Sequence, residues 1–523
     1  MKTNLKHLLL GAIACTVLLT SCLKKLDLVP TNEVSAEVIY KDIAGYKQAL
    51  AKVYGSFALT QNDLAGIIDD GTSDFFRLYW KVQELSTDEA VVAWGDPGIQ
   101  DFHLMNWTSD NPMLKGLYYR SMYQITLAND FIRQASSANL SKRNITDIAS
   151  ATNFRNEARF LRAFQYWVLM DLYGNPPFVT EADIIGGPAP KQIGRTAIFN
   201  YIETELKDLE NVLPVAKSNE YGRADRSAAQ ALLARLYLNA GVYTGSPRYA
   251  DAATYASKVI AISGNTVVGN NYRQLFLADN HTFTNEFIFT INYDGSRTQG
   301  FGGTTFLSHA SMGGSMNAAD HGLDFTWGGL RTTSRIPALF PDVTGVADKR
   351  SQFFTTGQNL TVNSLTTFTD GFAITKYRNK TKTGANGSNL TFVDIDMPLF
   401  RLSEMHLIYA EAATRGATTA TMSTALTYIN TLRQRAYTNN SGDITMAQLT
   451  TNFILDERAR ELYWEGHRRT DLIRYDRFVE STYLWDWKGG ALAGTGVNAI
   501  RKLYPIPSAD VLANRNLTQN PGY

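Results

Sequence analysis

Residues 75–107 mix flat aromatic rings with polar groups: Phe76, Arg77, Tyr79, Trp80, Trp94 and Trp107 are interleaved with Asp88, Glu89 and Asp96. Sugars present flat C–H faces and rims of hydroxyls, so a sugar site needs rings for the faces and polar forks for the rims. Trp94 precedes Gly95 and Pro97, which favour a turn, and an indole held on a turn is a good stacking platform. The plainer reading is that Trp94 plugs a seam between loop and helices. Phe301 stands before Gly302 and Gly303, whose missing side chains would leave its ring open, and Phe325 and Trp327 lie in another turn-rich stretch before Gly328. Apolar anchoring of loops is the default for each of these rings. They gain functional meaning only if they converge.

Other chemistry is sparse. The seven histidines are scattered, and the chain holds no His-Glu-x-x-His, phosphate loop, dinucleotide fingerprint or nucleophile elbow. Two carboxylates can meet from anywhere in a chain this long, so a glycosidase pair stays open as an alternative. Asp456, Glu457, Glu461 and Glu465 sit in a charge-laced helical pattern and read as solvated or ion-paired. Asp394 and Asp396 are alternate oxygen donors just before Pro398 and form a candidate structural calcium site. Nothing requires another cofactor.

The elements that must position these groups are mostly helical. From Phe154 to Gly174, Phe154, Ala158, Leu161, Phe164, Val168 and Leu172 mark one face, while Trp167, Leu169 and Met170 widen it, which predicts a buried helix ended by Gly174 and Pro176. Further helices are expected at 37–59, 113–136, 199–213, 222–240 (capped by Asp225), 249–262, 401–414, 422–436 and 449–468. Successive pairs of this kind resemble tetratricopeptide repeats. Residues 60–112 read as ordered loops and short helices, and 271–396 as a loop-rich excursion with short strands at FIFTIN and FAITKY. The fold class is mainly α.

A chain of 523 residues that is 44% apolar and 19% charged, with a formal net charge of +1, has core enough for a large folded protein and no basic stripe for a phosphate backbone. Nucleic acid is therefore not an expected partner. Residues 1–21 carry Lys2 and Lys6 before an apolar run too short for the roughly 20 residues of a membrane span, which predicts a signal peptide. Leu19, Thr20, Ser21 and Cys22 match the order of a bacterial lipobox, so Cys22 is the expected acylation site. The mature part, 22–523, is then one large lipid-tethered domain whose ligand-binding portion lies around 271–396. Apart from Cys22 it has no thiol with which to make a disulfide.

Several long blocks carry a family likeness: the helix with its LYGNPPFV exit, GRADRSAAQALLARLYLNAGVYTG, DIDMPLFRLSEMHLIYAEA, ERARELYWEGHRRTDLIRY and YPIPSADVLANRNLTQNPGY. With these the chain resembles the SusD/RagB family of outer-membrane nutrient-binding lipoproteins from Cys22 to Tyr523. The resemblance implies a SusD-like fold, capture of an oligosaccharide without bond breakage, and a partner TonB-dependent transporter of the SusC type, at the cell surface. FRLYWKVQELSTDEAVVAW, FGGTTFL and YLWDWKGGALAGTGV are most similar to a starch-binding member. By that likeness Trp94 and Phe301 belong to an aromatic arc, with Phe325 or Trp327 as the third ring. Arg77 would be one of its polar contacts, and the polar position after Trp94 falls on Asp96 or Pro97. Val92 stands where that member has a further tryptophan, so another glycan or a peptide-derived nutrient remains an alternative.

Overall fold

The computed structural model describes residues 36–60, 68–267, 269 and 271–523. The signal segment, Cys22 and the tether up to residue 35 lie outside the described residues.

Side-chain caps decide where several helices begin. Asp42 accepts from the Gly45 N–H at 2.9 Å and starts α1 (Ile43–Ala58). Asp74 starts α2 (Phe75–Glu84), Asn111 starts α3 (Pro112–Gln134), and Asp147 starts α4 (Ile148–Tyr173). The periodicity of α4 predicts its first residue at 154, but the cap on Asp147 moves the start upstream. Gly174, at φ 76°, ends it as expected. The stack continues with α5 (Arg195–Val212), α6 (Arg226–Leu238, capped by Asp225) and α7 (Tyr249–Ile260). After the short α8 (Gly303–Ala310) come α9 (Leu402–Thr414), α10 (Met422–Tyr437), α11 (Thr451–Leu462) and α12 (Arg468–Arg474). α3 packs on α4, α4 on α5, α5 on α6, α6 on α7, α7 on α9, and α9 on both α10 and α11. The tandem helix pairs expected from the sequence are therefore present. No helix among the described residues is long and apolar enough to cross a membrane.

Strands are few and short. β1 (Val91–Val92) pairs antiparallel with β3 (Leu330–Arg331), β2 (Phe287–Ile291) with β6 (Met397–Arg401), and β4 (Phe353–Phe354) with β5 (Ala373–Ile374). FIFTIN supplies β2, whereas FAITKY yields only the two residues of β5. The β1–β3 pair matters most here, because it clamps residues 91–92 to residues 330–331 and so brings two distant turns side by side.

Two expectations need correction. Residues 75–84 form a helix buried on every side, with Phe76, Tyr79 and Trp80 in the core, and Trp107 is buried as well. Its sequence does carry a polar stripe at Arg77, Lys81 and Glu84, but that face is buried along with the apolar one. The predicted 449–468 helix breaks after Leu462: Trp464 takes φ 64° and Gly466 φ 83°, and α12 starts afresh at Arg468. The Trp464 carbonyl accepts from the Trp80 indole at 3.1 Å, and the Glu89 carboxylate accepts from the Trp464 N–H at 2.7 Å.

Glu457 and Glu461 of α11 are ion-paired, one of the two outcomes expected, and the pairs lie in the core. Glu457 meets Arg350 at 2.7 Å and Arg433 at 2.8 Å, while Glu461 meets Arg401 at 2.6 Å and Arg350 at 3.2 Å and also binds Arg435. Arg401 and Arg435 in turn share Glu286, and Arg401 with Lys376 shares Glu465. Burial alone would raise the Glu461 carboxyl, but three guanidinium groups outweigh it and hold its pKa below the ordinary range.

Candidate functional site

The β1–β3 clamp places Ala93, whose N–H donates to the Gly329 carbonyl at 2.8 Å, and thereby Trp94 beside the turn that ends at Trp327. The Trp94 indole donates to the Trp327 carbonyl at 3.2 Å, and a Cβ on Gly329 would stand 2.4 Å from the Trp94 ring. Only glycine leaves that ring its seat. Ring centroids then follow one another: Trp94 to Trp327 at 6.2 Å, Phe325 to Trp327 at 6.3 Å, and Phe301 to Trp327 at 5.8 Å. Their interplanar angles of 47°, 33° and 66° make a bent surface instead of a flat one. Phe301 and Phe325 are 41% and 42% exposed, and both tryptophans are half-buried. The sequence-predicted rings Trp94, Phe301, Phe325 and Trp327 are therefore brought together, and both candidates for the third ring take part.

Arg77 lies beneath this surface, not in front of it. It is 7% exposed, and its guanidinium carbon sits 4.8 Å from the Phe306 centroid, 5.8 Å from Trp327 and 6.0 Å from Trp94. One Nη donates to the Phe301 carbonyl at 2.7 Å, while its buried Nε has no partner among the described residues. Burial pulls the Arg77 pKa down, against the opposing attraction of Asp69, Asp74 and Asp96. Asp96 itself is exposed on the Trp94 turn. Gly71 fills the gap between Arg77 and Phe301: a Cβ there would lie 2.8 Å from the Phe301 Cβ and 3.0 Å from an Arg77 nitrogen.

Other residues proposed from sequence sit elsewhere. Phe76, Tyr79, Trp80 and Trp107 are core. Asp88 pairs with Arg468 at 2.7 Å, and Glu89 serves Trp464. Asp394 accepts from the Gly295 N–H at 2.7 Å and the Ser388 hydroxyl at 2.7 Å, whereas Asp396 accepts from the Tyr221 hydroxyl and the Tyr293 N–H, each at 2.8 Å. The carboxylates thus serve separate donor sets, and the described residues contain no group of three or more His, Cys, Asp or Glu able to hold a metal.

The sequence reading missed three members of the site. Phe392 extends the surface, 5.3 Å from Phe301. Phe306, fully buried, supports Trp94 at 6.1 Å. His309 stacks under Trp327 at 5.1 Å and 19°. Phe306 and His309 stand three apart on α8, a helical spacing that could have paired them, but Phe392 carries no local signal.

Comparison with known proteins places this geometry in context. A model of the SusD family matches residues 342–523, and one described as "Starch-binding associating with outer membrane" matches residues 71–238. The starch-binding protein SusD of Bacteroides thetaiotaomicron is 33% identical, and the alignment covers 100% of both chains. The chain belongs to the SusD family. Families of this kind are outer-membrane, carbohydrate-binding and non-catalytic. A SusD-like protein of Formosa agariphila is 24% identical over 94% of this chain and 95% of that one. Among solved structures, surface glycan-binding protein A from B. thetaiotaomicron, in complex with laminarihexaose, is similar at TM-score 0.70 and 21% identity, covering 92% of this chain and 99% of that one. The SusD-like, mainly α fold expected from sequence is thereby confirmed. Phe301, Phe325 and Trp327 of this SusD-family chain fall between the two matched regions, whereas Arg77 and Trp94 lie inside the one over residues 71–238.

Proposed function

We propose that the Trp94–Trp327–Phe301–Phe325 surface captures a glucan of the starch or maltooligosaccharide type, without cleaving it, and presents it to a partner TonB-dependent transporter of the SusC type. The observation that carries this reading is the convergence of rings from distant turns into one bent, exposed surface. A coiled α-linked chain offers its sugar faces at changing angles, which tilted rings meet and a coplanar platform would not. The relative at 33% identity, named for starch binding, supports the same ligand class. Several modest ring contacts acting together hold a long chain yet let it go. Acylation at Cys22 would keep the body at the cell surface, since each buried methylene of an acyl chain contributes about 0.8 kcal/mol to membrane affinity.

Phe301→Ala is the sharper test, because Trp94 also holds the Trp327 carbonyl and its loss would disturb two rings. Native protein and variant are compared by calorimetry against maltoheptaose, soluble starch, laminarin, xylan and peptide mixtures, with glycan length checked by chromatography afterwards. Native protein is expected to bind the α-glucans and leave their lengths unchanged. The variant, with an unchanged circular dichroism spectrum, is expected to lose about tenfold in affinity, or roughly 1.4 kcal/mol. Shortened glycan, or preference for another polymer, would overturn the reading.

A further inference from the structure

His309 is fully buried on α8, and both of its ring nitrogens face backbone carbonyls: Nδ1 lies 2.9 Å from the Phe325 oxygen and Nε2 lies 2.9 Å from the Thr391 oxygen. A neutral imidazole has one N–H and one lone pair, so it can donate to only one of the two. The other nitrogen then faces an oxygen with no proton between them. Only the imidazolium, with two N–H groups, satisfies both carbonyls at once.

The two carbonyls belong to different parts of the aromatic surface. One lies on the turn that carries Phe325 and Trp327, and the other on the segment that leads to Phe392 and, through it, Phe301. The imidazole also stacks on Trp327 and lies 4.8 Å from the Phe325 ring, and its own carbonyl accepts from the Trp327 N–H at 3.1 Å. We propose that His309 is a positioning residue of this surface: its second proton ties the Phe325–Trp327 turn to the Thr391–Phe392 segment, and ligand capture strengthens as that proton is gained. The proposal rests on the glycan-capture reading above.

The charged surroundings allow this. Asp324, on the same turn as Phe325, favours the charged ring, and its carboxylate also holds the Thr391 hydroxyl. Asp394, on the segment carrying Thr391, is hydrogen-bonded to Gly295 and Ser388. From α2, Arg77 stands beyond Trp327, and Lys81 is 5.6 Å from the Phe306 ring. Burial lowers the His309 pKa, and it prevails over the two carbonyls and Asp324, so the ring is neutral near pH 7 and takes its second proton only below the usual histidine range. A neutral glucan has no group that titrates there, so any pH dependence of capture belongs to the protein.

The test compares native protein with His309→Gln, whose amide offers N–H donors from one nitrogen only and cannot titrate. Maltoheptaose affinity is measured from pH 7.5 to pH 4.5, and tryptophan emission of the ligand-free proteins is followed over the same range, because a protonated imidazole stacked on Trp327 quenches it. Native protein is expected to gain several-fold in affinity and lose emission on acidification, while His309→Gln shows neither. Parallel profiles in both proteins would overturn the proposal. Absence of maltoheptaose binding at every pH, with the emission difference intact, would refute the glycan reading while leaving the His309 link standing. Absence of the emission difference refutes the link whatever the ligand.

Discussion

Gly71 separates Arg77 from Phe301 by less than the space a methyl group needs. Gly71→Ala is therefore expected to push the Phe301 ring from its seat and weaken glucan binding by about tenfold, with unfolding shifted by no more than about 1 kcal/mol. Calorimetry and a urea melt on the same sample separate the two effects. Asp396 responds to pH. Burial raises its carboxyl to about 7, so the folded state holds a proton that the unfolded chain gives up near pH 4. The stability this contributes is fully present below pH 4 and is lost as pH rises through about 7, an effect on the order of 4 kcal/mol at most. Asp396→Asn imitates the protonated acid, so urea melts should show the variant and native protein alike at pH 4 and the variant more stable at pH 8. At this scale the sequence was legible wherever a turn former stood beside a ring, as at Trp94 with Gly95 and Phe301 with Gly302. Phe392 and His309 offered no such cue, since their roles come from segments that meet only in the folded chain.

Among the elements, α4, α6 and α7 were legible from the helical spacing of their apolar and small residues, although α6 is buried nearly all round, and the Asp225 cap of α6 was found from residue type alone. Helix α2 was read only as part of a stretch of loops and short helices, although Arg77, Lys81 and Glu84 recur on one face; what spacing did not announce is that this polar face is buried too. The break after Leu462 was also hidden: Tyr463 and Trp464 fit a helical pattern, but Trp464 is drawn out of it by bonds to Glu89 and Trp80 from the far end of the chain. The acids of α11 show the same limit. Their spacing left solvation and ion pairing both open and gave no sign that the pairs of Glu457 and Glu461 lie in the core. Glu461 there answers Arg350, Arg401 and Arg435 together. Glu461→Gln leaves those cations short of an anion in a dry interior and is expected to destabilise the protein by roughly 3–5 kcal/mol. A fall in the urea midpoint with little change in slope would match it; an unchanged midpoint would not.

For the whole molecule, the stacked helices act as a frame that holds loops against one another while contributing few of the ring side chains themselves. A ligand bound only by the folded frame must stabilise it by mass action, by about 2.7 kcal/mol at a hundredfold excess over the dissociation constant. Maltoheptaose is accordingly expected to raise the melting temperature of native protein and to raise that of Phe301→Ala by about half as much at the same concentration, as followed by scanning calorimetry. The Trp94 indole reaches across 233 positions of sequence to the Trp327 carbonyl. No early fragment of the chain can therefore own the aromatic surface proposed to meet sugar. A polypeptide still threading its way out of the cell carries nothing that could snag carbohydrate en route, and the capacity to hold sugar arrives all at once, when the last loops settle into place.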